Sequence, residues 1–302
     1  MKTSKEGLTN GFIAFFMWGV YPLYWWLLSN ISGFEILINR MLFSFLTLVV
    51  LILVMRKLPD LKNALLLMKQ QPKKILLMIG ATLLIGINWY TFTHAVTSNQ
   101  FVAVSLGYYI NPLLNVLIGV FFLKEKLNKY QAIAVLIAFI GIAYLSISYG
   151  QLPIVSLVLA ITFSLYSLVK KFIGIDAIIS LFFETGLMLP VSTYLFITTI
   201  QNGTSHFAMD DIKIQLLLVG TGMITMSPLI YFTKAARLLE LKILGFLQYL
   251  APTLQMLVAV FIIGEPFSTN RLITFICIWI ACLLFSMSHY LDKKPLLQLK
   301  KT

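Results

Sequence analysis

The chain has 302 residues, of which 59% are hydrophobic and only 11% charged, with 23 Lys plus Arg against 11 Asp plus Glu for a formal charge of +12. A soluble domain carries about a quarter charged residues, so no water-soluble surface can be built from this composition. Disordered, collagen-like, disulfide-scaffold and soluble nucleic-acid-binding classes are excluded on the same grounds, and no nucleic-acid partner is expected. What remains is a chain whose solvent is lipid.

Apolar runs of about 20 residues, the length that carries a helix across the hydrocarbon core, recur with short joints. They do not alternate as β-barrel strands would. The expected architecture is an all-α membrane protein with ten transmembrane helices at 7–28, 35–55, 75–96, 101–123, 131–149, 153–169, 177–199, 214–235, 243–263 and 271–290. The first run, Gly7 to Leu28, is too long for a signal-peptide core and lacks a small-x-small cleavage pattern, so it reads as a retained helix. Within it, Trp18 and Tyr21 lie three apart just before Pro22 and are candidates to line a solute cavity, whereas Trp25 and Trp26 fit an interfacial aromatic belt.

The second span contains Arg40, and the seventh contains Glu184. A charge at the centre of a bilayer helix costs about 2.5 to 3.5 kcal/mol on insertion scales, so each should face a partner or a wet cavity. A direct Arg40–Glu184 pair, a role in substrate or proton handling, and simple snorkelling of Arg40 to the interface are all open. Asn88 and Trp89 in the third span are further cavity candidates, and Tyr90 fits the interface.

In the fourth span Pro112 removes an N–H and frees the carbonyl of Tyr108, with Asn111 and Asn115 four apart on the adjoining face. In the ninth, Pro252 does the same to the carbonyl of Gln248, beside Tyr249. An unpaired carbonyl at membrane depth must face protein, water or a ligand, so these segments read as two polar half-sites at equivalent depth, or as structural kinks whose Asn side chains bond a neighbouring helix. Ala134, Ala138 and Gly141 in the fifth span fit close helix packing and leave a homo-oligomer contact open. Glu125 and Glu265 each close an apolar span, where a carboxylate can accept from the free N–H groups at the start of the next helix.

No chemistry-bearing motif accompanies these features. Cys277 and Cys282 are five apart and point to different sides of one helix, so neither a disulfide nor a metal site is expected. There is no Walker A loop, HExxH or GxSxG elbow, and His94, His206 and His289 are scattered. The expectation is a protein without cofactor that is not an enzyme.

With a cytoplasmic N-terminus, 20 of the 23 basic residues fall in inner segments and only Lys213 and Arg271 fall outside, with Arg40 inside a span. Such asymmetry across short loops places both termini in the cytoplasm and the inner basic clusters against membrane lipids. Lys170 and Lys171 are counted among these inner anchors.

Shifting the chain by 140 residues pairs Phe92-Thr93-His94-Ala95 with Phe232-Thr233-Lys234-Ala235, Tyr109 with Tyr249, Pro112 with Pro252 and Glu125 with Glu265. From Leu76 to Ser148 this single offset gives 17 identities, where composition alone would give roughly 6. The chain thus divides into a five-helix copy at 1–149, a second at 150–290 and a basic tail at 291–302. An odd helix number turns the second copy upside down, a recurrent design of secondary transporters.

Gly107-Tyr108-Tyr109-Ile110-Asn111-Pro112-Leu113-Leu114-Asn115, its counterpart Gly245 to Thr253, Glu35-Ile36-Leu37 with Arg40, Asn88-Trp89 and Glu184-Thr185 together resemble the RarD branch of the EamA-type drug/metabolite transporters. The resemblance implies an inner-membrane permease of two inverted EamA units with a central path for a small-molecule substrate. It also implies an exporter of metabolites or drugs, with chloramphenicol as an associated solute. One departure is visible: Lys124-Glu125 stands where the second copy has Gly264-Glu265, the pair usual in the family.

Overall fold

A computed structural model of the chain describes residues 4–98, 100–148, 154–209, 212–264 and 268–298. Among these there is no strand. The helices are α1 (Lys5–Val20), α2 (Pro22–Trp26), α3 (Gly33–Val54), α4 (Leu58–Gln70), α5 (Pro72–Thr97), α6 (Phe101–Leu123), α7 (Lys129–Ser148) and α8 (Ile154–Ile173). They continue as α9 (Ala177–Gln201), α10 (His206–Met209), α11 (Ile212–Leu238), α12 (Leu241–Gln248), α13 (Leu250–Val258), a π-helical turn at Ala259–Ile263, and α14 (Thr269–Gln298).

Nine helices among the described residues are long and apolar enough to cross a membrane, taking α12, α13 and most of the π-turn as one run. The expected first span differs, because Pro22 has no N–H to offer Trp18 and the helix is interrupted at Tyr21. The resulting pieces have 16 and 5 residues, each shorter than a crossing helix requires. The basic joint after α3, between the second and third expected spans, is itself helical. Pro59 in its first turn starts α4, which buries Ala64 and Met68 and exposes Leu65 and Leu66.

Helix starts are capped by side chains read easily in the sequence. Ser4 accepts from Gly7 N at 3.1 Å, Ser32 from Glu35 N at 3.1 Å and Asp176 from Ile178 N at 3.0 Å. Asn128 and Gln131 exchange bonds of 2.9 and 3.1 Å at the start of α7, the reciprocal capping arrangement.

The main core gathers buried residues of α1, α3, α5, α8, α9, α11 and α12, and a second core joins α6, α7, α12 and α14. α3 packs on α9 and α11, α6 on α8 and α12, and α7 on α14. Three glycines permit these approaches. A Cβ on Gly222 would lie 2.3 Å from Phe43 O, one on Gly245 2.5 Å from Pro112 O, and one on Gly141 2.7 Å from Cys277 Cβ. The Ala134, Ala138 and Gly141 stripe is therefore used inside the chain, against α14, and Thr274 adds a 3.1 Å bond to Gly141 O.

At one end the basic joints are tied to one another. Lys57 bridges Asp60 (2.9 Å) and Asp176 (3.1 Å), Lys74 donates to Ile173 O (2.6 Å), Arg237 to Ile175 O (2.7 Å) and Lys242 to Lys126 O (2.6 Å). The hydrogen bond to Asp60, reinforced by Asp176, raises the Lys57 ammonium above its ordinary range. The clamp is thus fully present below the ordinary lysine pKa and is lost only as pH rises through the elevated one. At the opposite end the buried carboxylate of Glu35 accepts from His206 N (2.7 Å) and Ser205 Oγ (3.2 Å) and pairs with His206 Nδ1 (2.7 Å).

Candidate functional site

The two proline-marked segments meet in the middle of the molecule. Asn111 and Asn115 on α6 and Gln248 at the end of α12 are all buried and form one hydrogen-bonded cluster. Asn115 Nδ2 donates to Gln248 Oε1 at 2.8 Å, Gln248 Nε2 donates to Asn111 Oδ1, and Asn111 Nδ2 donates to Ala160 O (2.8 Å) and Ser164 Oγ (3.0 Å) on α8. Three helices are thereby fixed around one polar knot, in surroundings where each interhelical bond contributes about 0.6 to 2 kcal/mol. Asn115 Oδ1 is left buried without a partner. Pro112 stays within a continuous α6, whereas Pro252 sits in the first turn of α13, just after a break at Tyr249. Its missing N–H costs nothing there.

Their neighbours go elsewhere. Tyr109 and Tyr249 are buried in the second core, Tyr109 edge-on to Phe275 at 5.3 Å and Tyr249 against Phe246 at 6.0 Å. The Tyr249 hydroxyl has no hydrogen-bond partner. Gln255, the repeat counterpart of Asn115, donates to Trp18 O at 2.9 Å and ties α13 to α1.

Glu184 is the centre of a second buried cluster. It pairs with Lys170 Nζ at 2.5 Å and accepts from Tyr166 Oη (2.8 Å) and Ser180 Oγ (2.9 Å), while Lys170 also donates to Ser180 Oγ at 2.7 Å. Lys170 is therefore no surface anchor: α8 runs on to Ile173, and the ammonium is 0% exposed. Because both carboxylate oxygens of Glu184 are engaged on α8 and α9, the Arg40–Glu184 pair left open by the sequence is not formed. The carboxylate adjoins a small cavity, with room for about one water, lined by Trp89 of α5, Tyr166 of α8, Glu184, Thr185 and Met188 of α9, and Met226 of α11.

Arg40 packs on the same Trp89. Its guanidinium carbon is 4.5 Å from the centroid of Trp89 and 5.9 Å from that of Trp25. It forms no ion pair with any described residue, and its shielded Nε has no hydrogen-bond partner. Tyr108, 40% exposed, is within electrostatic reach. Trp18 packs with Phe232 (5.5 Å), Phe15 (5.7 Å) and Phe163 (5.8 Å), and Tyr21 bonds Ser227 Oγ at 3.0 Å. Asn88 donates to Leu159 O and Thr162 Oγ1, both at 2.9 Å.

Glu125 caps a helix, but not the next one. It accepts from Leu241 N (2.7 Å) and Lys242 N (2.9 Å) at the start of α12, since Asn128 already serves α7. Glu265 lies outside the described residues. Sequence reasoning missed Lys170, Tyr166 and Ser180. Tyr166 and Lys170 are four apart and share a helix face, but only the packing of α9 shows that this face meets Glu184.

Fold and site together define an all-helical, polytopic membrane protein with polar and charged clusters buried between its helices. The model of the EamA-like transporter family matches residues 5–147. An uncharacterized transporter of Vibrio cholerae is 40% identical over 94% of this chain and 93% of its own length. Protein RarD of Escherichia coli is 37% identical over 95% of each. A protein of known crystal structure shares the fold, with a TM-score of 0.69 at 16% identity over 93% of this chain and 96% of that one. The chain belongs to the RarD branch of the EamA-type drug/metabolite transporters and is a multi-pass protein of the bacterial inner membrane.

Proposed function

We propose that the protein is a secondary permease, hydrolysing no ATP, that moves a small organic solute out of the cell by alternating access between two inverted five-helix copies. In this reading α1 and α2 together supply the tenth crossing, both termini are cytoplasmic, and the copies divide near residue 150. The observation that carries it is an exchange of packing partners. α1 packs on α11 and α13, and α8, the first helix of the second copy, packs on α5 and α6; likewise α3 packs on α11 as α9 does on α5. Two copies joined through equivalent contacts can trade conformations, which converts a path open to one side into a path open to the other.

The cavity beside Glu184 lies between α5 of the first copy and α8, α9 and α11 of the second, and the Asn111–Asn115–Gln248 cluster also joins the copies. With room for about one water, the cavity is far smaller than the roughly 300 to 1,000 Å³ of an open ligand site, so loading requires the copies to part. The aromatic and methionine lining suits a flat, amphipathic solute. Counterflow in proteoliposomes tests the reading, with labelled chloramphenicol among the solutes. A carrier accelerates uptake when unlabelled solute is preloaded; uptake that neither saturates nor shows counterflow would make the protein a pore or a sensor.

A further inference from the structure

Arg40 sits seven residues into α3, about 10 Å along the helix from the Gly33 end. A guanidinium at such depth needs compensation, and Trp25 and Trp89 provide two aromatic faces but no negative charge. The other intramembrane charges beside the path cancel, because Lys170 and Glu184 form a fully hydrogen-bonded pair. Arg40 therefore leaves the route with one net positive charge. The same Trp89 that carries the guanidinium also lines the cavity, so one aromatic ring joins Arg40 to the space beside Glu184.

We propose that Arg40, with Trp89 and Tyr108, forms an anion-recognition site on the solute path, and that the cargo is an organic anion whose carboxylate meets Arg40 while its apolar body lies against Trp89. A guanidinium presents a planar fork of donors that matches a carboxylate, and stacking on an aromatic ring leaves the edges of that fork free. Cationic solutes are repelled and neutral ones gain only the apolar contact. The inference rests on the carrier reading for the word cargo, and on the geometry of Arg40 for the charge of the ligand. A phospholipid phosphate offers the same oxyanion chemistry, so the test separates the two sources.

The full chain is purified in detergent, and its melting temperature is measured with phenylacetate and with its uncharged counterpart phenylacetamide. The expected result is stabilisation by the carboxylate alone, with an apparent affinity about tenfold weaker in Arg40→Gln, the loss of one charge-assisted hydrogen bond, and partly retained in Arg40→Lys. Should Arg40→Gln fail to fold, Trp89→Leu, which removes the supporting ring, is expected to weaken the carboxylate response as well. Equal responses to acid and amide, no response to either, or an unaltered response in the variants would each overturn the proposal. Arg40-dependent stabilisation by phosphatidylglycerol over phosphatidylcholine, without a carboxylate effect, would assign the site to a lipid headgroup and overturn it too. Counterflow of a neutral solute that ignores Arg40 would overturn the anion assignment and leave the carrier reading intact. A carboxylate response without any counterflow would do the reverse.

Discussion

Lys124 and Gly264 stand 140 residues apart and both end a helix in the left-handed conformation, with φ of 55° and 81°. The Gly-Glu pair usual at this point thus has a backbone cause, since a side chain costs about 1 kcal/mol there and glycine does not. Lys124→Gly is expected to stabilise the protein by about 1 kcal/mol, read as a raised melting temperature, and Gly264→Ala to lower it by a similar amount. The second prediction concerns the central knot. Asn111→Leu strands Gln248 Nε2, while Ser164 Oγ keeps its bond to the backbone carbonyl of residue 111, so stability is expected to fall by about 1 to 3 kcal/mol. If the knot belongs to the solute path, transport by Asn111→Leu or Gln248→Leu is lost at equal membrane abundance, measured per molecule of inserted protein; unchanged transport would leave these side chains a packing role only. The sequence makes Asn111, Asn115 and Gln248 conspicuous because polar groups beside prolines are rare in apolar spans. It hides Lys170, which stands next to Lys171 at a span end and looks like one more anchor; its partner is supplied by another helix.

At the scale of elements, the α8–α9 contact is organised by an ion pair in place of an apolar ridge. Removing one partner of a buried pair leaves an uncompensated charge and costs about 3 to 5 kcal/mol, whereas replacing both with apolar side chains is close to neutral. Lys170→Met is expected to reduce the yield of folded protein sharply, and Lys170→Met with Glu184→Leu to recover most of it, as followed by detergent size-exclusion profiles. If the double variant folds and still transports, the pair is structural; if it folds and is inactive, Glu184 acts on the path. Gly245 gives the complementary test at the α6–α12 contact. A methyl group there meets Pro112 O at 2.5 Å, so Gly245→Ala is expected to push α12 outward and destabilise by about 1 to 3 kcal/mol, visible as a lower melting temperature. Hydropathy finds these helices to within a few residues because burial in lipid needs length and apolarity alone. It does not find the interruption at Tyr21 or the helicity of α4. The first depends on a single missing N–H, and the second on an amphipathic pattern too short and too basic to read as a span.

For the whole molecule, the 140-residue repeat gives physical meaning to contacts that otherwise look unrelated. In the two-copy reading, each copy's first helix packs on the third and fourth helices of the other, α1 on α11 and α13, α8 on α5 and α6. The sequence carries the offset plainly in the Pro112–Pro252 and Tyr109–Tyr249 pairs, but not its consequences. Tyr109 and Tyr249 share a core layer with α14, while Gln248, with no identical counterpart, completes the polar knot. Similarly, the two helix-end glutamates are visible at once, yet Glu125 serves the distant α12, because Asn128 and Gln131 have already satisfied the start of α7. Side chains chosen by local rules are thus redirected by which elements the repeat brings together.

The central claim is that the two copies cross the membrane in opposite senses, and sided labelling tests it most directly. Lys129 and Thr269 are exposed, stand 140 residues apart and begin equivalent helices. Single cysteines at these two positions, in a chain whose Cys277 and Cys282 are replaced by alanine, would be treated in intact cells with a membrane-impermeant maleimide. The inverted arrangement predicts that Thr269→Cys is labelled from outside and that Lys129→Cys reacts only once the membrane is opened. Labelling of both from the same side would contradict it.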